Sequence, residues 1–332
     1  MDPFIECVGD PRAMGHGQGL AHRAEIQACI AAAGGRVRRS RLPSLRALTS
    51  GGALGSGIGR EVIRHYTHLA ERMAGIARNA DVPFASLMDL FCAATDAAGP
   101  DDDLVAPAIA IGARQTQSAS GGPLVLRTLS GASLESSPWI LRKSRPEVGF
   151  ASAEVTLPWL ATAIAGINDA GVAVAMAPRT ASYGGGVNAG AVNPRHAPHG
   201  VLLVQECLQR FEDIDGCIDW CRKRPRSGNV SLVIGDANGG LATVKIEGEE
   251  CRVVDAGAGI AVEGATTPVR DRIVSQYADR EQIDLDALVT AHGGESLPAN
   301  GCLVWLEPAR RSLSLRSTVE TGSAGKSVDI TL

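Results

Sequence analysis

The sequence is poor in aromatic residues and has no large excess of charge of either sign. Phe, Trp and Tyr make up only 4% of its 332 residues, whereas hydrophobic residues make up 45% and there are 39 glycines. The core is therefore expected to consist of Ala, Val, Ile and Leu, in one large domain or two ordinary ones. The net charge of −4, from 32 basic and 36 acidic residues, gives no reason to expect a nucleic acid or a membrane as partner.

Long apolar runs and cysteine motifs are also missing. No uninterrupted apolar segment approaches the roughly 20 residues that cross a bilayer. The first residues, MDPFIECVGDPRAMG, lack a basic stretch followed by an apolar run, so no secretory signal is expected. The eight cysteines form neither a CxxC pair nor the spacing of a disulfide framework. We therefore expect a cytoplasmic protein with reduced, partly buried thiols.

Two pairs of residues have the spacing of metal ligands on a helix. Cys217 and Cys221 lie four residues apart, and His65 and His68 lie three apart. Neither pair is accompanied by further ligands at the spacing of a closed metal site. We favour structural thiols and surface histidines over metal sites, and we expect neither a metal ion nor a cofactor.

Two other segments could bind phosphate. Gly15, Gly17 and Gly19 form a GxGxG pattern, but its spacing is not that of a dinucleotide or P-loop fingerprint, so we interpret it as the start of a helix. Segment 36–46 contains five arginines, which could bind an anion such as coenzyme A. A solvated charged face is the favoured interpretation, because charge runs are usually exposed.

The pattern of apolar residues changes at about residue 108. Before it, apolar residues recur at three- and four-residue steps over 60–79, which predicts an amphipathic helix. After it, strands and helices alternate in pairs, which favours an α+β fold with two stacked, mainly antiparallel sheets covered by helices. Helices are also predicted at 15–33, 86–95, 201–211, 214–223, 269–278 and 284–292. Strands are predicted at 1–10, 108–112, 123–129, 161–177 as a hairpin, 229–236, 241–247, 251–255, 302–307 and 312–317.

Four stretches of the chain resemble one known family. They are GDPRAMGHGQGLAHRAEI (9–26), AGIARNADVPFASLMDL (74–90), IAGINDAGVAVA (164–175) and NVSLVIGDANGGLATVKI (229–246). On these motifs the chain resembles, over nearly its whole length, the peptidase C45 family, the acyl-coenzyme A:6-aminopenicillanate acyltransferase type of N-terminal nucleophile (Ntn) hydrolase. The resemblance implies a single αββα sandwich domain over 1–332. In it, 1–107 is a helical part equivalent to a pro-segment, and 108–332 is the sandwich core.

The resemblance also implies where the catalytic site lies. In the family a cysteine opens the first core strand, and self-cleavage before it frees an α-amino group that serves as base. The matching residue here is Ala108, while Ser130 stands where relatives carry an acidic residue and Glu263 where they carry an oxyanion-binding asparagine. Alanine cannot attack a carbonyl, so the chain is predicted to remain uncleaved and the usual roles are vacant. An engineered cysteine-to-alanine change would explain Ala108 alone, so we interpret the divergence as natural.

Other residues are candidates for the site. Cys92 lies shortly before the first hairpin and is a candidate catalytic thiol, although a small buried hydrophobe is the favoured interpretation. Arg114 and Arg127 are candidates to clamp an anion, and Asn168, in the turn of the 161–177 hairpin, is a candidate substrate contact together with Ala108. If the alignment with the family were shifted, the nucleophile could be the hydroxyl of Thr116, Ser118 or Ser120. We favour ordinary turn residues at these three positions.

Two functions remain open. The first is an enzyme that performs acyl-transfer or amide-bond chemistry (hydrolysis, amide formation or ring closure) on a small amide-like or natural-product metabolite. It would not use the usual N-terminal cysteine. Glu263, partly desolvated at a strand end, would act as base, and Ser130 is a further candidate catalytic residue. The second is a catalytically inactive relative that binds a small molecule or a partner enzyme. The oligomeric state, a homo-oligomer included, is left open.

Overall fold

The computed structural model describes residues 4–37, 57–96, 108–114, 121–129, 139–178, 197–255, 259–265, 267–277, 302–317 and 327–332. The helices in these ranges are α1 (Pro11–Ala21), α2 (Arg23–Val37), α3 (Gly57–His65), α4 (Thr67–Ala80), α5 (Phe84–Asp96), α6 (Leu202–Arg210), α7 (Ile214–Lys223) and α8 (Thr267–Tyr277). The strands are β1 (Phe4–Gly9), β2 (Ala110–Ala113), β3 (Leu124–Leu129), β4 (Ile140–Pro146), β5 (Ser152–Thr156), β6 (Ala165–Asn168), β7 (Ala173–Pro178), β8 (Asn229–Gly235), β9 (Leu241–Glu247), β10 (Glu250–Asp255), β11 (Ile260–Glu263), β12 (Cys302–Glu307), β13 (Ser312–Ser317) and β14 (Ser327–Thr331).

The strands form two sheets. The larger sheet has the order β1-β4-β5-β6-β7-β8-β9-β10, and the smaller has the order β11-β2-β3-β12-β13-β14. Strand β1 pairs with β4 in parallel, while the other strand pairs of the described residues are antiparallel, as in β6 with β7 and β2 with β3. The prediction of two mainly antiparallel sheets is confirmed.

Three apolar cores lie between four layers. One core packs helices α2 to α7 on the larger sheet, through residues such as Met73, Phe91 and Leu232. A second core lies between the two sheets and is made largely of Ala, Val, Ile and Leu. The third packs the outer face of the smaller sheet against Ile273 of α8. The layers are therefore helix, sheet, sheet and helix, and the predicted α+β fold with an αββα sandwich is confirmed.

A buried polar network ties the helical layer to the larger sheet. Arg142 on β4 donates from Nε to Oε2 of Glu154 on β5 at 2.6 Å, and both side chains are fully buried. Arg142 also donates to the side-chain oxygens of Gln18 on α1 at 2.7 Å and Gln205 on α6 at 3.0 Å. Burial opposes the charged form of Glu154, but the neighbouring Arg142 guanidinium holds the pKa of that carboxyl below its usual value. One ion pair thus fixes two helices on the sheet.

The GxGxG pattern of α1 permits close helix packing. A Cβ atom at Gly15 would lie 2.1 Å from the carbonyl oxygen of Arg72, and one at Gly19 would lie 2.4 Å from that of Ile76. Both oxygens belong to α4. Because no side chain fits at these two positions, α1 and α4 contact each other through their backbones, and the two glycines are explained by packing.

Several predicted boundaries differ from the structure. The helix expected over 60–79 is divided at Tyr66, whose backbone leaves the helical region and whose hydroxyl donates to the carbonyl of Pro225 at 2.9 Å. The helix expected to stop at residue 34 continues to Val37. Strands β4, β5 and β14 were not predicted. The helix predicted at 284–292 and most of the arginine-rich segment 36–46 lie outside the described residues.

Candidate functional site

Ala108 lies in a tightly packed position just before β2. The residue is buried, with 3% of its surface exposed. The next residue, Ile109, donates its N–H to the hydroxyl of Thr128 at 2.8 Å and accepts from the Thr128 N–H at 2.9 Å. A Cβ atom at Gly264 would lie 2.1 Å from the Ala108 carbonyl oxygen and 3.1 Å from Cβ of Ala177. The backbone around Ala108 is therefore held by Thr128 of β3 and by the close approach of Gly264, which follows β11, and the residue itself contributes only a methyl group.

Glu263 is the last residue of β11 and points towards the larger sheet. Along β11, Ile260 and Val262 face α8 while Ala261 faces the space between the sheets, so the alternation of a strand turns Glu263 to the inner side. Its Oε1 lies 2.8 Å from Nζ of Lys245, and its Oε2 accepts a hydrogen bond from the Ser231 hydroxyl at 2.8 Å. Both contacts stabilise the ionised carboxylate.

The two partners of this carboxylate, Ser231 and Lys245, lie on neighbouring strands of the larger sheet. They are register partners on β8 and β9, and Ser231 is also the register partner of Ala177 on β7. Ser231 is fully buried, whereas the side chains of Lys245 and Glu263 are 21% and 11% exposed. The three polar residues, which we call the intersheet cluster, thus lie beside Ala177 and Gly264, and through them beside Ala108.

Arg127 on β3 lies across Ala110 of β2 from Glu263 of β11. Ala110 is the register partner of both Glu263 and Arg127, so a carboxylate and a guanidinium flank one alanine on the inner face. With neighbouring strands about 4.8 Å apart, the Cα atoms of Glu263 and Arg127 are about 10 Å apart. The side chain of Arg127 lies over the Trp139 ring, 5.9 Å from its centroid.

The Arg127 guanidinium is a buried cation. The residue is 1% exposed, and its Nε and Nη1 have no hydrogen-bond partner. Burial lowers its pKa to about 9, because the apolar layer between the sheets disfavours the charged form. A buried guanidinium with two unused N–H donors is suited to bind an anionic oxygen.

The remaining candidates are spread over the molecule. Arg114 follows β2 directly, and its N–H donates to the carbonyl of Gly259 at 3.0 Å. Cys92 is on α5 and packs against the core under the helices, on the opposite face of the larger sheet from the intersheet cluster. Ser130 lies outside the described residues, as do Thr116, Ser118 and Ser120. The structure thus brings Ala108, Arg127 and Glu263 together and leaves Cys92 apart from them.

Asn168 has a role in the fold. Its Nδ2 donates to the carbonyls of Leu208 at 2.9 Å and Phe211 at 2.8 Å, and its Oδ1 accepts from the N–H of Val172 at 2.7 Å. The side chain is fully buried. These hydrogen bonds close the β6–β7 turn and anchor the end of α6, so Asn168 has a structural role in the fold.

The residue pairs considered as metal ligands have other partners. Sγ of Cys221 lies 3.9 Å from Sγ of Cys207, and the hydrogen bonding among these buried thiols together with burial raises the pKa of both. His68 pairs with the buried carboxylate of Glu206 at 2.8 Å, on a different helix from His65. In the described part of the chain, no group of three His, Cys, Asp or Glu side chains could hold a metal ion.

Two members of the intersheet cluster were missed by the sequence analysis. Ser231 and Lys245 occupy inward-facing positions of β8 and β9, whose other inward residues include Val233 and Leu241. A polar residue at such a position of a strand that is covered on both faces is the signal that could have found them.

Among the described helices, none is long and apolar enough to span a membrane.

No family model matches the sequence, and no curated protein matches it. Among solved structures, the chain is similar to a mutant of conjugated bile acid hydrolase from Clostridium perfringens, with 12% identity and a TM-score of 0.44 over 67% of this chain and 92% of that one. It is similar to penicillin V acylase from Agrobacterium tumefaciens, with 12% identity and a TM-score of 0.43 over 67% and 86% of the two chains. It is also similar to the Caenorhabditis elegans ortholog of N-acylethanolamine-hydrolyzing acid amidase, with 11% identity and a TM-score of 0.42 over 60% of this chain and 93% of that one. At these values the likenesses define neither a substrate nor a mechanism for this chain.

Proposed function

We propose that this protein performs acyl-transfer or amide-bond chemistry (hydrolysis, amide formation or ring closure) on a small amide-like metabolite, by a route that does not use an N-terminal cysteine. The observation that carries the proposal is the carboxylate of Glu263, held between Lys245 and Ser231 at 2.8 Å each, next to Ala108. A positioned carboxylate can take a proton from an attacking group and return it to a leaving amine.

Charges on the same face support a substrate that carries an anionic group. Arg127 is buried with two unused N–H donors, in one row with Ala110 and Glu263. In a layer of low dielectric such a cation attracts a carboxylate or a developing oxyanion strongly. Arg127 would therefore hold the substrate, while Glu263 moves the proton. Arg114, which follows β2 directly, is a second candidate for anion binding.

A second candidate function is binding without catalysis. It is favoured by Ala108, which offers a methyl group where the resemblance expects a nucleophile, and by the position of Cys92 on the opposite face of the larger sheet. In this case Arg127 would bind an anionic small molecule or a group on a partner enzyme.

The two functions are separated by one set of measurements. The intact protein is incubated with acyl-thioesters, acyl-amino acids and β-lactams, and both product formation and the shift in Tm are recorded. We expect product from at least one class. A ligand that raises Tm without being consumed would favour the binding function, and an Arg127→Met variant should abolish that shift.

The substitution Glu263→Gln tests the role of the carboxylate. It keeps the shape of the side chain but removes the proton acceptor, so turnover should fall by ~10²-fold or more. Because Lys245 loses its counter-ion, we also expect a lower Tm, so rates are compared well below both melting temperatures. Glu6→Gln, which breaks the exposed pair with Arg145, is the control. Undiminished turnover in Glu263→Gln would exclude Glu263 as the base.

A further inference from the structure

We infer that Ser231 is the residue that receives the acyl group, with Glu263 as its base and Lys245 as the neighbouring cation. The inference rests on the proposed function and adds the nucleophile that Ala108 cannot supply. It is carried by the contacts of the intersheet cluster, which join a hydroxyl, a carboxylate and an ammonium group beside Ala177 and Gly264.

The hydroxyl of Ser231 already donates its hydrogen to the carboxylate. Its Oγ lies 2.8 Å from Oε2 of Glu263, within the distance over which a nucleophile and its base share a proton. The other carboxylate oxygen is held by Nζ of Lys245 at 2.8 Å, which fixes the orientation of the carboxylate. Nucleophile, base and orienting group are thus connected in a chain, which is the general arrangement of an activated hydroxyl.

The cluster lies in mostly apolar surroundings. Most residues of the layer between the sheets are apolar, such as Val233, Ala175 and Val304, although Arg127 and Thr243 also face it. A polar group buried there costs free energy unless it is hydrogen-bonded. A serine, a lysine and a glutamate could be replaced by apolar residues at little cost to packing. Their presence at one end of the layer, where Lys245 and Glu263 keep some exposure, is better explained by chemistry than by stability.

The site is reached from the side of Lys245 and Glu263. Ser231 itself is fully buried, while these two side chains are 21% and 11% exposed and cover it. A substrate carbonyl therefore approaches Oγ along these two side chains, while Lys245 stays paired with Oε1 of Glu263. The remaining N–H groups of the same ammonium stabilise the negative charge that develops on the carbonyl oxygen.

The reaction balances without any oxidant, reductant or metal. The Ser231 oxygen forms a bond to the carbonyl carbon of the amide, its proton passes to Oε2 of Glu263, and the carbonyl electron pair moves to oxygen. The electron pair on the oxygen then re-forms the carbonyl as the carbon–nitrogen bond breaks, and the leaving amine takes the electron pair of that bond and the proton from Glu263. Water or an acceptor amine then attacks the acyl-serine in the same way, and the proton returns to the Ser231 oxygen.

The test uses covalent labelling, which needs no knowledge of the substrate. The intact chain is incubated with methanesulfonyl fluoride, a small electrophile for activated hydroxyls, and the adduct is located by peptide mass spectrometry. We expect one adduct, on Ser231, that is absent in Ser231→Ala and at least tenfold slower in Glu263→Gln. Thr243→Val is the matched control, because Thr243 is a buried hydroxyl residue on the same inner face of β9 and should leave labelling unchanged.

Each outcome bears on a different claim. An adduct of the wild-type protein on another residue, or no adduct at all, overturns the inference. Circular dichroism of Ser231→Ala shows whether a loss of labelling in that variant is due to the missing hydroxyl or to unfolding. Turnover that persists in Ser231→Ala also overturns it but leaves the proposed function standing. Labelling of Ser231 without turnover of any amide supports the nucleophile and contradicts the proposed function. The variant Ser231→Cys should gain a new adduct at position 231 with an electrophile selective for thiols, located by peptide mass spectrometry apart from any adducts on Cys92 and Cys251. No adduct at position 231 in this variant would contradict an accessible nucleophile there.

Discussion

His199 makes the stability of this protein sensitive to acid. The residue is partly exposed, but its ring packs against Gly228, where a Cβ atom would lie 2.4 Å from the ring, and its Nδ1 accepts from the N–H of Val201 at 3.2 Å. Burial of the ring lowers its pKa from 6.5 to about 4. The folded state therefore keeps His199 neutral at a pH at which the unfolded chain binds a proton.

The sign of the effect follows from this difference. Stability from His199 is complete above pH 6.5 and is lost as the pH falls towards 4, by up to about 3 kcal/mol at 1.36 kcal/mol per pKa unit. His199→Asn should flatten this part of the curve when urea unfolding is measured from pH 7.5 to 4. A smaller slope should remain, because burial also lowers the pKa of His22. An unchanged slope in the variant would show that His199 is accessible to protons in the folded state.

At the scale of elements, the crossing of α1 and α4 depends on missing side chains. Gly15→Ala would place a Cβ atom 2.1 Å from the backbone oxygen of Arg72, and backbone cannot move aside as a flexible side chain can. We expect a loss of stability of about 1–3 kcal/mol, the usual cost of overpacking.

Gly17 offers a matched control in the same helix. A Cβ atom there would meet its nearest atoms at 3.7 Å and 3.9 Å, which is ordinary contact. Gly17→Ala should therefore be neutral or stabilising by about 0.5–1 kcal/mol, since alanine is the better helix former. Equal effects of the two substitutions on the free energy of unfolding would contradict the close-packing explanation of the GxGxG pattern.

Element boundaries show where local pattern and tertiary contact compete. The apolar stripe of 60–79 predicts one helix, and its residues do form one apolar face, but the contact between Tyr66 and Pro225 divides it into α3 and α4. The hairpin β4–β5 was missed because its buried positions include Arg142 and Glu154, which a hydrophobic pattern does not count as core. Their mutual pairing, which permits the burial, is visible only in the fold.

At the scale of the whole molecule, the chain is predicted to remain in one piece. Self-cleavage of the related type needs a nucleophilic side chain, and position 108 is occupied by alanine. Intact-mass measurement of the purified protein should give a single species near 34.4 kDa. Two fragments that separate near residue 107 would overturn both this prediction and the assignment of Ala108 to the nucleophile position.

We also predict that 1–107 and 108–332 fold as one unit. The core under the helices joins Leu69, Met73 and Phe91 of the first part with Val174 and Leu232 of the second, and all five side chains are almost completely buried. Expression of 108–332 alone would expose this apolar face of the larger sheet, so insoluble or molten material is expected. A soluble fragment with a cooperative melting transition would contradict the prediction.

Part of the candidate site could be predicted from the sequence. The resemblance placed Ala108 and Glu263 in the site, and Arg127 was a separate candidate for anion binding. The structure brings these three together around Ala110. The structural role of Asn168 could not be predicted from the sequence, because its partners, Leu208 and Phe211, lie about 40 residues further along the chain. Lys245 was missed because an isolated charged residue in a strand is usually exposed.

The sequence by itself determined the small aliphatic core, the layer order and the turn of the 161–177 hairpin. In that turn Gly171 has a φ of 95°, which favours glycine. Alternation along a strand also determined which residues face inward. Only the tertiary structure decided which inward residues meet, because Ser231 belongs to one sheet and Glu263 to the other. A period of two fixes the face of a residue within its own strand, whereas the stacking of the sheets fixes which strand of the opposite sheet lies across from it.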